Sequence, residues 1–568
     1  MWRRFKRHTN QMRVNPVEQT EQEIPDQAME RLKDVKVTSD LQEMLATANN
    51  LLGENDDFEV REFHIFGKFP AAMLYITDLV NQTMVNTEVL KSFMYLPRQL
   101  EDKHIELSQL KDIILQDALY HSKGKAKDRL NEAIEAVLRG KTVVFVDGLD
   151  QAFVVETRKV EKRAIDQPAT EQVIRGPREG FIEQLQTNLG LLRYRLPSTD
   201  FRVKTMKIGR ITKSKVAVCY IKGIVNDALV EEVQRRLSAI DIDGVLDVGQ
   251  LEQFIEDNHI TPFPQVQNTE RPDKAVANML EGRVAILVDG SPFALIVPTV
   301  FNQFYQVTED YTERFLLVSF IRLARLIALV FSLITPSLYV AVISFNPELI
   351  PTEFAVAVAG GRAGVPFPSV VEVFVMEVSM EVLREATVRL PQQVGGALSI
   401  VGVLVIGQAA VSAGFVNPIT VVVIALTTIG SFATPAYNAA LALRLLRFPL
   451  VILAGMFGLY GVMVGLILIA NHLLSLRSFG VPYITPLVPG NFQGMKDTVI
   501  RAPLWWMKKR PSFLHTPNRT RLSESTVEHI KQPPVNTLDP LKVGNEKWGE
   551  SDGVSSTDHS DSSGSRTD

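Results

Sequence analysis

This sequence predicts a cytoplasmic α/β head, built from two repeated α/β units, followed by an all-α multi-pass membrane domain. Three observations carry that prediction. First, Leu326–Phe345 holds no charged residue over 20 positions, and Val394–Phe415, Ile419–Leu443 and Leu450–Leu474 are alike in this. At about 1.5 Å rise per residue such a helix crosses a hydrocarbon core of about 30 Å. A core helix of a soluble protein has no reason to be apolar on every face for so long. Second, two blocks recur in the same order in the first half of the chain. Third, the overall composition is 46% hydrophobic and 22% charged. That ordinary average comes from a charged first half and a charge-poor second half.

The elements follow in order. Residues 1–40 open with the basic run MWRRFKRHTNQMRV, which lacks the apolar core of a signal peptide and reads as a disordered N-terminus. With nothing to export it, the head is expected to be cytoplasmic. Residues 41–165 form the first unit and 204–305 the second. Val137–Gly148 (VLRGKTVVFVDG) matches Met279–Gly290 (MLEGRVAILVDG), and Leu74–Val85 matches Cys219–Val230. The matched blocks lie about 145 residues apart, a usual domain size. In each unit a β-rich run leads through Val-Asn into a helix, then a strand, then Asp-Gly, then a return strand. Asp-Gly between apolar runs is a hairpin signal, so Asp147 and Asp289 read as turn residues before they read as ligands.

Residues 166–203 read as a connector carrying Arg175, Arg178, Glu179, Arg193 and Arg195. Arginines at this density suit contacts with a partner's carboxylates. The chemistry alone favours the plainer reading, a solvated inter-domain connector. Gly140-Lys141-Thr142 is not a phosphate loop, because position 135 is Glu and the strand and helix stand in the wrong order. The nine His are scattered and Cys219 is the only cysteine. No disulfide framework, metal site, catalytic constellation or cofactor motif is expected. A net charge of −4 over 568 residues argues against a nucleic-acid partner.

The membrane domain is read as 306–490. Arg322 and Arg325 share a helix face and are expected to reach the headgroups, and Pro336 to kink the first span. Phe354–Pro391 stands apart. It contains Arg362, is broken by Gly360-Gly361, Pro366 and Pro368, and then carries Glu372, Glu377, Glu381, Arg384 and Glu385. Glu377, Glu381 and Glu385 recur every four residues on one helical face. A carboxylate at the bilayer centre costs a few kcal/mol and normally faces water or a partner. Either the segment lines a pore, or it is an amphipathic helix lying on the membrane surface. Four full spans are expected, with this segment not counted, which puts Arg444 and Arg447 in an outer loop. Residues 491–568 are expected to be a mostly disordered cytoplasmic tail.

With these segments on the page, the chain resembles the A subunits of the GerA-family spore germinant receptors. The blocks are Val173–Phe181 (VIRGPREGF), Thr335–Ala341 (TPSLYVA), Val365–Pro368 (VPFP) with Glu372, Met376–Pro391 (MEVSMEVLREATVRLP), Ile400–Val411 (IVGVLVIGQAAV) and Ser475–Pro486 (SLRSFGVPYITP). The resemblance covers about residues 40–490. It implies a part in nutrient-triggered spore germination, in the inner spore membrane. It also implies two partners, a transporter-like B subunit holding the nutrient site and a lipoprotein C subunit, and a homo-oligomer that forms or gates an ion channel. A secondary-transporter-like subunit and a scaffold that only tethers the complex are the competing readings. No enzyme site supports a catalytic one.

Overall fold

The computed structural model describes residues 27–94, 107–114, 124–159, 167–388, 402, 405–490 and 492–531. The first unit contains α1 (Leu41–Leu52), β1 (Phe58–Ile65), β2 (Phe69–Ile76), β3 (Lys125–Lys127), α2 (Leu130–Leu138), β4 (Thr142–Val146) and β5 (Ala152–Val155). The second contains α3 (Leu185–Arg195), β6 (Phe201–Ile208), β7 (Ser214–Ile221), α4 (Asp227–Ser238), α5 (Val248–Ile255), β8 (Gln267–Thr269), α6 (Pro272–Glu281), β9 (Val284–Val288) and β10 (Ala294–Val297). Each unit holds one antiparallel five-stranded sheet, ordered β1-β2-β4-β5-β3 and β6-β7-β9-β10-β8. The two orders are the same permutation, so the sequence repeat is a duplicated fold. Register agrees as well, with Ala71 opposite Val146 in one unit and Val216 opposite Val288 in the other.

The central strands are covered on both faces, as their unbroken apolar runs require. In β2, Ala72, Leu74 and Ile76 pack against α1 and α2, while Ala71, Met73 and Tyr75 face a second cluster with Phe93 and Phe153. That split is the period-two alternation of a strand. Cys219 lies fully buried in β7, where burial pushes its thiol up.

The Asp-Gly turns do more than reverse the chain. Gly148 and Gly290 take φ 86° and 96°, a conformation that glycine adopts without steric penalty. Asp147 Oδ1 accepts from Leu41 N at 3.3 Å, and Asp289 Oδ1 from Leu185 N at 3.1 Å. Each aspartate therefore sits at the N-terminus of its unit's first helix, where the helix dipole favours a negative charge. This makes α3 the counterpart of α1 and corrects the 166–203 connector. The second unit begins near residue 183, and the strap is confined to the residues before it. That strap lies along β8 and α6, where Glu171 pairs with Lys274 at 2.6 Å and Phe181 N donates to Glu270 O.

After the head, α7 (Phe315–Phe345), α8 (Thr352–Arg362), α9 (Ser369–Val388), α10 (Pro418–Phe432) and α11 (Tyr437–Ser475) form a helical bundle. Counted as continuous helices, α7 and α11 are long and apolar enough to cross a membrane. Of the expected span Val394–Phe415, residues 394–401, 403 and 404 lie outside the described residues, and the helix described there ends at residue 412. The expected span Ile419–Leu443 is broken, because α10 stops at Phe432 ahead of Thr434-Pro435, where a residue before proline is steered away from helix. Gly458, at φ 61° and ψ −141°, interrupts α11. A Cβ on Gly461 would lie 2.0 Å from Leu453 O, and one on Gly465 would lie 2.6 Å from the Leu450 side chain. In a straight helix the second pair would be about 22 Å apart. So α11 is a hairpin with arms 437–457 and 459–475, and the expected span Leu450–Leu474 contains its turn. Helix α7 continues through Pro336.

The tail reading also changes. Residues 494–521 pack on the head and on the base of α7, with Arg510 buried and donating to Leu280 O and Asn518. Residues 522–531 belong to a separate unit whose described helix is Glu524–Lys531. Residues 532–568 lie outside the described residues.

Candidate functional site

Helix α9 buries one face and leaves the other, with Phe374, Val375, Val378 and Val382, exposed. Val373, Met376 and Met380 are buried in a cluster with Val340 and Ala341 of α7, Ile424 of α10 and Val451 and Ala454 of α11. This face of α9 forms one wall of the bundle interior. Its carboxylates meet the arginines of α11. Glu377 Oε2 is 3.3 Å from Arg447 Nη1, and Glu381 lies 2.8 Å from Arg384 and 3.5 Å from Arg444. Arg384 also stands over the Phe432 ring, and Arg444 over Tyr437. Nearer the start of α9, Glu372 Oε2 accepts from Asn417 N and Thr420 Oγ1, with Arg362 at 3.5 Å from its other oxygen. Glu385 is exposed.

The arrangement is incomplete in one respect. Glu377 Oε1, Arg447 Nε and Nη2, and Arg444 Nε and Nη2 are buried and have no hydrogen-bond partner among the described residues. Buried polar atoms are normally satisfied, because leaving one unpaired costs about 1–3 kcal/mol. Glu377, Arg444 and Arg447 thus lie in an apolar interior with donors to spare, while Arg384 and the 38%-exposed Glu381 side chain stand at its edge.

Arg444 and Arg447 were expected in an outer loop. They lie instead inside the first arm of α11, because that arm starts at Tyr437 and runs through both. The signal was legible in principle: two arginines three apart in an otherwise uncharged stretch must find partners, and the glutamates of α9 were the available ones. Arg322 and Arg325 do not reach the headgroups. Arg322 is fully buried and bonds Asp310 at 2.9 Å and Asp497 at 2.8 Å, while Arg325 bonds Asp310 and Tyr305 O. These bonds tie the head, the base of α7 and the segment after α11 into one knot.

The head residues divide. Arg193 is 1% exposed and forks onto Asp57, Nε to Oδ2 at 2.5 Å and Nη2 to Oδ1 at 2.6 Å. It belongs to the joint between the units and has no surface to offer a partner. In the same joint Arg202 and Lys222 hold Glu54, and Val203 N bonds Asn55 Oδ1. The guanidinium and ammonium beside Glu54 hold its carboxyl below the usual range, the Lys222 bond foremost. Asp78, beside this joint, is pushed up to about 7 by burial and by Asp57. Arg195 pairs with Glu179 at 2.6 Å, and the exposed Arg175 lies 3.6 Å from Glu313. Arg178 is exposed.

A family model described as the Bacillus/Clostridium GerA spore germination protein matches residues 46–513. The chain belongs to the GerA family. Among its relatives, spore germination protein KA of Bacillus subtilis (strain 168) is 41% identical over 494 residues, covering 87% of this chain and 90% of that protein. The uncharacterized membrane protein YfkQ of the same strain is 38% identical, covering 86% and 94%. Spore germination protein GerLA of Bacillus cereus is 38% identical, covering 86% and 98%. A crystal structure of the N-terminal domain of the A subunit of the Bacillus megaterium spore germinant receptor GerK3 is 34% identical. It covers 47% of this chain and 97% of that domain, with a TM-score of 0.37. The GerA match runs from within α1 through both units of the head and the bundle to residue 513, inside the packed part of the tail.

Proposed function

We propose that this chain is the membrane-embedded A subunit of a nutrient germinant receptor, and that its buried Arg–Glu network opens or closes an ion path. The single observation behind this is the set of Glu377, Arg444 and Arg447 buried in an apolar bundle, with Glu381 and Arg384 at its edge and with donors and one acceptor left over. Ionisable groups at membrane depth are expensive and mark ion routes or the contacts of a partner helix. Two partner subunits of the B and C kind, and further copies of this chain around an axis, are the natural sources of the missing hydrogen-bond partners. The head then stays on the cytoplasmic side of the inner spore membrane and passes its state through the Arg322 knot. A scaffold reading has its own support, because Glu377 and Glu381 already face arginines, and a neutralised carboxylate concentrates few cations.

One double-substitution series separates the two. Arg447→Gln alone leaves Glu377 buried without its ion-pair partner and should lower the amount of protein in the membrane. Glu377→Gln with Arg447→Gln removes both charges and should restore that amount. If the network gates ions, spores carrying the double variant still release cations abnormally on nutrient exposure. If the pair is only a staple, release returns to normal with abundance, and the gating reading falls.

A further inference from the structure

Segment 500–509 stands apart from the charge network. Arg501 N donates to Ser319 Oγ, Ser319 Oγ donates to Arg501 O, and the Trp505 ring meets Phe315 edge-on at 6.1 Å between centroids. The segment therefore runs antiparallel along the first turns of α7. It widens the apolar girdle there, since Ile500, Trp506 and Phe320 are 66%, 61% and 72% exposed. A water-facing protein surface rarely gathers large apolar side chains so closely. Tryptophan paired with cations is the composition of a membrane–water boundary. Arg314, Lys496, Lys508 and Lys509 border this girdle, and none of them forms an ion pair among the described residues. Behind it opens a cavity of about 390 Å³ lined by Trp506, Lys496, Lys508, Lys509 and Gln267. Gln267 is 3% exposed, and its Oε1 accepts no hydrogen bond among the described residues.

We infer that this shelf and the cavity behind it dock an anionic phospholipid whose headgroup carries a free hydroxyl, as in phosphatidylglycerol. The lysines match a phosphodiester and the open Gln267 acceptor matches a hydroxyl, while Ile500, Trp505 and Trp506 lie against the acyl boundary. Charge complementarity and continuity with α7 select a lipid surface over a protein groove. The inference rests on the reading of α7 as a membrane span, and its test separates the two.

The full chain with Trp2→Phe and Trp548→Phe keeps Trp505 and Trp506 as its reporters, since it has four tryptophans. In nanodiscs their emission should be quenched more by lipids brominated near the headgroup than by lipids brominated near the chain end. Brominated phosphatidylglycerol should quench at lower mole fraction than brominated phosphatidylcholine. Lys508→Gln and Lys509→Gln should each shrink that preference by about fivefold, with unchanged circular dichroism. A control chain in which Phe331→Trp, on the exposed face of α7, is the one tryptophan reports on the span itself. Quenching of the control without quenching of Trp505 and Trp506 overturns the docking site and leaves the span standing. Loss of quenching in both removes the membrane reading and the site with it. Equal quenching by the two lipids, indifferent to the lysines, refutes headgroup recognition.

Discussion

Arg193→Met is the sharpest probe of how the head holds together. Arg193 and Asp57 are 1% and 3% exposed on their side chains and share two short charge-assisted hydrogen bonds. Asn55 adds a third contact to the guanidinium at 3.2 Å, and the guanidinium stacks over Phe201. Methionine keeps most of the aliphatic volume and deletes the charge, so Asp57 is left buried without its counter-ion. Removing one partner of such a pair costs about 3–5 kcal/mol, against a net stability of about 5–15 kcal/mol for a domain. Pulse proteolysis of the full detergent-solubilised chain in urea would read this loss, with new cleavage expected between the two units. The double variant Asp57→Leu with Arg193→Met replaces the pair by apolar groups and should recover most of it. A loss under about 1 kcal/mol for Arg193→Met, or a double variant no better than the single, would refute the claim that an unpaired buried charge governs the joint.

Two further outcomes follow from the same structure. Asp78 and Glu252 are pushed up to about 7 and about 8, burial being the largest cause in both. Their folded state keeps protons that the unfolded chain sheds above about pH 4, so head stability should fall as pH rises from about 5 to 8. Asp78→Asn should gain about 1–3 kcal/mol over the parent at pH 8 and little at pH 5 in the same proteolysis assay; equal gains at both values would contradict the assignment. In the bundle, Gly461→Ala forces a Cβ into Leu453 O and Gly458→Ala imposes a backbone that L-residues avoid, a strain of about 1–3 kcal/mol. Both should lower the detergent-denaturation midpoint of the purified chain, whereas Gly360→Ala, whose Cβ meets open space, should leave it unchanged.

The sequence by itself determined what periodicity and repetition can encode. It determined the two-unit head, because strand alternation and a duplicated Asp-Gly block survive in a one-dimensional pattern. It determined that the second half is a set of apolar helices, because absent charge over a span's length is a local property. It also singled out Glu377 and Glu381, because charge in an apolar context is conspicuous by itself. Only the tertiary structure decided where those charges go. The partners Arg444 and Arg447 lie 63 to 70 residues away on a helix whose boundaries hinge on Thr434-Pro435 and on the reversal at Gly458. Arg193 looked like a surface arginine of a basic strap until Asp57, 136 residues earlier, was brought against it. The helix-capping role of Asp147 and Asp289 was likewise invisible, since each caps a helix more than 100 residues before it. In every case the missing information is which distant group fills a buried polar atom's remaining valence, and that is settled by packing rather than by local propensity.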